Sequence, residues 1–293
     1  MYSQITANKR RTLLIIIIFI GFIIGLGWFL NAYLGYGPES MILAVFISLI
    51  MTLVGYYQGD TVALHATGAE RIQKEDNPYV YRLVENLCIT AGLPLPKIHI
   101  IRSAALNAFA TGRDPNHASI ALTTGIIEAL NNEELEGVIA HELSHIKNYD
   151  IRVMTIVIVL VGAVTLLANW FLRVNMFGGR RGSREGGNAG NILAIAGLVL
   201  LILSPIIAEL IKLAVSRRRE FLADASGSLL TRYPEGLASA LEKISQSAEP
   251  LATASSATAH LFIANPFKGK NFSSLFSTHP PIAERIKKLR ELI

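Results

Sequence analysis

Four long apolar runs punctuate the chain, and between them the polarity is that of an ordinary globular protein. The first lies at about 13–30. No charged residue occurs over 12–38, and the 18 positions of the run suffice to cross the roughly 30 Å hydrocarbon core of a bilayer. A second run, at about 41–57, follows a Gly-Tyr-Gly-Pro turn, so the two read as a hairpin. The third, at about 153–172, is bracketed by Arg152 and Arg173, and the fourth lies at about 192–208. These form a second hairpin around a loop rich in glycine and arginine, which reads as a flexible linker. A cleaved signal peptide is a poor account of the first run, which is too long and has no small-x-small site after it. The chain thus divides into an N-terminal transmembrane hairpin (1–57), a polar part (58–152), a second hydrophobic hairpin (153–208) and a second polar part (209–293).

The first polar part has the pattern of an α+β unit. Residues 77–91 carry Tyr81, Val84, Leu87 and Cys88 at helical spacing, and Leu-Pro-Leu-Pro at 93–96 ends that helix. Residues 97–101 and 118–123 read as short strands with a turn at 112–116 between them. The strand 118–123 is expected at a sheet edge, where an extended peptide can pair with its backbone. Asn131 with Glu134 three positions on is a capping-box start for a helix through Leu135, Val138 and Ile139. The second polar part reads as mostly helical. Its Ser/Ala/Thr-rich stretch 245–259 is expected as a surface loop or lid, and it closes on an amphipathic helix with Ile282, Ile286, Leu289 and Leu292 on one side.

The candidate chemistry sits on the capped helix, in His141-Glu142-Leu143-Ser144-His145. Residues i and i+4 share one helix face, so both imidazoles reach one Zn²⁺ while Glu142 lies alongside as a general base. A catalytic zinc takes a third protein ligand and keeps an open position. Glu220 is the best candidate, because a hairpin returns its two ends to one side and so brings the chain after 208 back to His141. Asp224, one turn on, then faces the ligand histidines and accepts a ring N–H. The competing account makes Arg217, Arg218, Arg219, Glu220 and Asp224 a solvated charged face at the membrane.

Composition agrees with a membrane protein: 293 residues, 51% hydrophobic and 17% charged, with a mean hydropathy of +0.42. The net charge of +5 does not point to nucleic acid. The basic residues Lys9, Arg10, Arg11, Arg152, Arg173 and Arg217 to Arg219 flank the apolar runs, where they would meet anionic headgroups. The single cysteine, Cys88, excludes an intrachain disulfide and a cysteine-built zinc cluster. A transporter would place ionisable residues inside several spans, and these spans are almost uncharged. One conflict stays open: a cytoplasmic N-terminus and a full third crossing would put the four arginines between segments three and four outside, against the positive-inside bias.

His-Glu-x-x-His ahead of a hydrophobic segment, followed after the next one by Arg217-x-x-Glu220-x-x-Ala223-Asp224, resembles the HtpX family of integral-membrane zinc endopeptidases, relatives of the CaaX prenyl endopeptidases. The resemblance extends to the two-plus-two hydrophobic segments, to Asn107-Ala108-Phe109-Ala110-Thr111-Gly112, and to Ser277-Thr278-His279-Pro280-Pro281 with Arg285. It implies a membrane α-helical protein with a gluzincin-like α+β zinc-protease domain and four hydrophobic segments in two hairpins. One zinc per chain is implied, held by His141, His145 and Glu220, with Glu142 as base. The clients implied are misfolded membrane proteins, cut at the cytoplasmic face of a bacterial inner membrane. His279 is implied as a donor to the oxyanion or substrate, and Arg285 as orienting substrate or neighbouring carboxylates; the competing account makes 279–281 a turn before the last helix. Asn107 either bonds substrate backbone or caps a turn. The alternatives to this function are a CaaX-type prenyl endopeptidase and a zinc-binding scaffold without activity. The scaffold has no need of Glu142, and four short spans are few to wall a prenyl chamber.

Overall fold

The computed structural model describes residues 2–34, 37–178, 216–255, 257–267 and 280–292. The expected fourth apolar segment, most of the Gly/Arg-rich loop and His279 lie outside the described residues. The first two apolar runs form helices α1, Tyr2–Leu34, and α2, Glu39–Thr67. Met41–Thr67 is long and apolar enough to cross a membrane, and only 17% of its most apolar window is buried. Leu13, Leu14 and Ile17 on α1, with Ile42, Leu43, Phe46 and Leu49 on α2, face outward. A continuous apolar surface of that extent is suited to lipid rather than to water. The inner faces bring Ile15, Phe19, Ile23 and Ala44 together with Val153, Val157, Leu160 and Val164 of α6, Asp150–Gly178. The third apolar run is therefore the buried helix of this group over its first half.

Four strands form one sheet: β1, Ala69–Arg71; β2, Lys97–Ile101; β3, Ala108–Asp114; and β4, His117–Thr123. Their order is β1-β2-β4-β3, with β2 and β4 parallel and the outer pairs antiparallel. This corrects two sequence expectations. Residues 108–114, of which the last three are expected as turn, form a strand. The strand 118–123 is interior, and β3 lies at the edge instead. The physical reason lies in β4, where Ala118 to Thr123 are all buried. A strand covered on both faces loses the apolar/polar alternation that would mark it as a one-sided edge strand.

One face of the sheet, through Ala108, Ala110, Ile120 and Leu122, shares a core with three helices. These are α3, Pro78–Ala91; α5, Asn132–Lys147; and α8, Pro234–Gln246. The other face, through Ile101, Phe109 and Ala121, meets Ala63 of α2, Met154 and Ile158 of α6, and Leu251, Leu261 and Phe262. Stretch 245–259 is thus not simply an exposed lid: Leu251 and Thr258 are buried, and Leu251 N–H bonds Pro266 C=O at 3.1 Å. Helix α3 is capped by the Asn77 side chain, which accepts from Val80 N–H, and ends at Gly92. A short helix α4, Thr124–Ala129, leads to α5, whose Asn131–Glu134 capping box forms in full.

Helix α5 does not run straight into α6. Asn148 caps it, Tyr149 takes the left-handed conformation at φ 60°, and α6 departs at 82°. The N–H groups of Asn148 and Tyr149 turn back to Ser144 and Ile146 C=O, which closes α5. A residue in that conformation interrupts the i→i−4 ladder, so the zinc-motif helix and the apolar helix after it are two separate elements.

Candidate metal centre

The two histidines and Glu142 lie on α5 and Glu220 and Asp224 on α7, Arg217–Thr231, while Arg285 lies on α9, Ile282–Arg290. All six are buried. Helices α5 and α7 meet closely at Gly227, where a Cβ would stand 3.0 Å from His141 N and 3.2 Å from the Ala140 carbonyl carbon. That approach sets Glu220 and Asp224, on the preceding turns, against the zinc-motif face.

The ligand atoms converge. His141 Nε2 and His145 Nε2 are 3.2 Å apart, Glu220 Oε1 is 3.5 Å from His145 Nε2, and Glu220 Oε2 is 3.8 Å from His141 Nε2. A tetrahedral zinc with ligands at about 2.0–2.1 Å sets them roughly 3.3 Å apart, so this spacing fits one ion. Among the described residues this is the one group of three such side chains whose ligand atoms lie within 4.8 Å of one another.

Each histidine is fixed from behind. His141 Nδ1 is 2.9 Å from Asp224 Oδ1, and His145 Nδ1 is 3.0 Å from Asp150 Oδ2. A carboxylate accepts only, so each Nδ1 carries the hydrogen and each Nε2 is free to coordinate. Asp150, the first residue of α6, was not singled out in the sequence. The only signal for it was an acid opening an apolar helix, where the helix dipole favours one. Arg219, expected at headgroups, is instead buried, 3.5 Å from Asp150 Oδ1, because it shares the inward face of α7 with Glu220.

Arg285 does not lie on the outer face of the last helix with its basic neighbours. It is fully buried, donating from Nε and Nη2 to the two Asp224 oxygens at 2.9 and 2.7 Å, and from Nη1 to Ile263 C=O at 3.1 Å. Nη1 also lies 3.6 Å from Glu220 Oε2. Burial alone would raise the Asp224 carboxyl, but Arg285 and His141 outweigh it and hold it down at about 2. Burial raises Glu142 to about 7, with Glu220 adding to it against His145 and Arg285. Burial lowers His141. For His145 burial acts downward too, yet Asp150, Glu220 and Glu142 prevail and lift it to about 9 without a metal, so a bound cation takes the place of the Nε2 proton.

Asn107 is drawn into the scaffold. Its Nδ2 donates to Ala264 C=O at 3.1 Å, and its Oδ1 accepts from Ala108 N–H at 3.1 Å.

The profile of peptidase family M48 matches residues 74–293. The chain belongs to peptidase family M48. Among its M48-type relatives, a protease HtpX homolog of Tropheryma whipplei (strain Twist) is 48% identical, the alignment covering 100% of this chain and 98% of the relative. Another, from Caldanaerobacter subterraneus subsp. tengcongensis, is 45% identical over the same shares. The crystal structure of S. mikatae Ste24p matches 99% of this chain and 67% of its own with a TM-score of 0.51. At 18% identity that likeness is one of fold. This M48 chain is a membrane metalloendopeptidase of the HtpX kind.

Proposed function

We propose that His141, His145 and Glu220 hold one zinc ion and that Glu142 is the general base of peptide-bond hydrolysis in this M48 chain. The observation that carries the reading is the convergence of three ligand atoms, each histidine backed by its own carboxylate. When bound, zinc supplies Lewis acidity, polarising the scissile carbonyl and acidifying water. Glu142 takes the proton from the attacking water and passes it to the leaving amine. Burial raises the Glu142 carboxyl from its ordinary value, which makes it a stronger base toward that proton. Arg285 keeps Asp224 ionised, and Asp224 and Asp150 keep the imidazoles turned. His279 is retained as the proposed donor to the oxyanion.

The domain plan is proposed as a membrane hairpin (1–57), two protease parts (58–152 and 209–293) and a second hydrophobic hairpin (153–208). The clients are proposed to be misfolded or damaged membrane proteins, cut at the cytoplasmic face of a bacterial inner membrane. Support comes from the place of the site: Asp150, which touches His145, is also the first residue of the membrane-side helix α6. Lys9, Arg10 and Arg11 near the start of α1 favour a cytoplasmic end there. The HtpX relatives at 45–48% identity favour this over a prenyl endopeptidase.

The test is Glu142→Gln in the full chain, purified in detergent. Cleavage of unfolded casein should fall by about 10²–10⁴-fold or more, with zinc content unchanged. Full residual activity would remove Glu142 as the base.

A further inference from the structure

The N-terminal helix does more than flank the site. Asn8 on α1 is completely buried, and its Nδ2 donates to Asn148 C=O at 2.8 Å and to Asp150 Oδ1 at 2.7 Å. Both partners are acceptors only, so chemistry requires the amide nitrogen on that side. The other oxygen of Asp150 takes the Nδ1–H of His145. Asn148 and Asp150 flank Tyr149, the left-handed residue at which α5 turns into α6. One amide from a helix 140 residues upstream thus ties both sides of the bend and one oxygen of the carboxylate behind a metal ligand. Lys9 and Arg152 lie over the Tyr149 ring at 5.2 and 5.1 Å, holding the same corner.

A buried amide costs free energy unless its polar atoms are satisfied, and the Asn8 Oδ1 meets no hydrogen-bond donor among the described residues, so anchoring of α1 alone does not account for it. Here both N–H groups are used, and both partners belong to the corner that aims His145. We infer that Asn8 is a positioning residue of the metal centre: by fixing Asp150 and the α5–α6 bend it orients His145, so metal affinity depends on the seating of the first membrane helix. This rests on the zinc reading proposed above. Removing an outer partner of a ligating histidine weakens metal binding by about 10–100-fold, which sets the size expected.

The experiment measures zinc affinity by chelator competition, and melting of the metal-free form, on full-length protein in detergent. The variants are Asn8→Leu, Asp150→Ala, the pair combined, and Phe19→Ala. Phe19 packs in the same α1–α6 cluster away from the site. Asn8→Leu should weaken zinc binding by about 10–100-fold. It should add little once Asp150 is alanine, because the effect travels through that carboxylate. Phe19→Ala should lower the melting temperature and leave affinity unchanged. If Asn8→Leu does not purify folded, Asn8→Ala takes its place in the same cycle. Wild-type affinity in the Asn8 variant, equal losses with and without Asp150, or an equal loss in Phe19→Ala would each overturn the inference alone. A wild-type chain that binds no zinc would overturn the metal reading and the inference with it.

Discussion

Arg285 and Asp224 form a two-pronged pair, Nε to Oδ2 at 2.9 Å and Nη2 to Oδ1 at 2.7 Å, with the guanidinium at 0% exposure and the carboxylate at 5%. Their partnership spans 61 residues and joins the last helix to the one bearing Glu220. Replacing Arg285 by methionine leaves the Asp224 charge buried without its partner. A destabilisation of about 3–5 kcal/mol is expected, read as a fall in the thermal midpoint. Zinc affinity should fall as well, because Asp224 would no longer be held ionised against His141.

Removing Glu220 should remove metal. A Glu220→Ala chain is expected to retain far less zinc than the wild type after dialysis, by atomic absorption. In the wild type, a chelator should abolish proteolysis and added zinc restore it. An unchanged zinc content would take Glu220 out of the ligand set.

Gly227→Val tests the close approach of α5 and α7. A Cβ already presses the His141 backbone, and helix backbone does not yield as a flexible side chain does. The substitution should push Glu220 and Asp224 away from the histidines. It should weaken zinc binding while altering no ligand, a result that competition titration would show.

Cys88 offers a probe of the polar core. Burial pushes its thiol up to about 12. A raised thiol pKa favours the folded state below the ordinary value near 9, and that contribution is lost as pH rises towards 12. At pH 8 alkylation of the native chain should be slow and should accelerate with denaturant along the unfolding curve. Rapid labelling of native protein would contradict the burial.

Orientation is checked at Asn116, exposed in the turn between β3 and β4. In intact cells, a cysteine placed there should resist a membrane-impermeant reagent and react after lysis. Labelling in intact cells would put the protease part on the outer side.

Some of this was legible in the chain because the relevant physics is local. The i,i+4 histidines, the Asn131–Glu134 box, the apolar runs of α1, α2 and α6 and the pairing of Glu220 with Asp224 all follow from helical periodicity within a few turns. The order of the strands, the inward turn of Arg285 and the partners behind His145 depend on packing between segments 60 to 140 residues apart. Periodicity shows which face of a helix is apolar, and by itself it does not turn Arg285 inward. Only the assembled helices show that a buried carboxylate waits at that position, since a charge goes inside where a paired, hydrogen-bonded partner offsets its desolvation. The same holds for Asn8 and Asp150, whose roles exist only because α1 crosses the corner where α5 becomes α6.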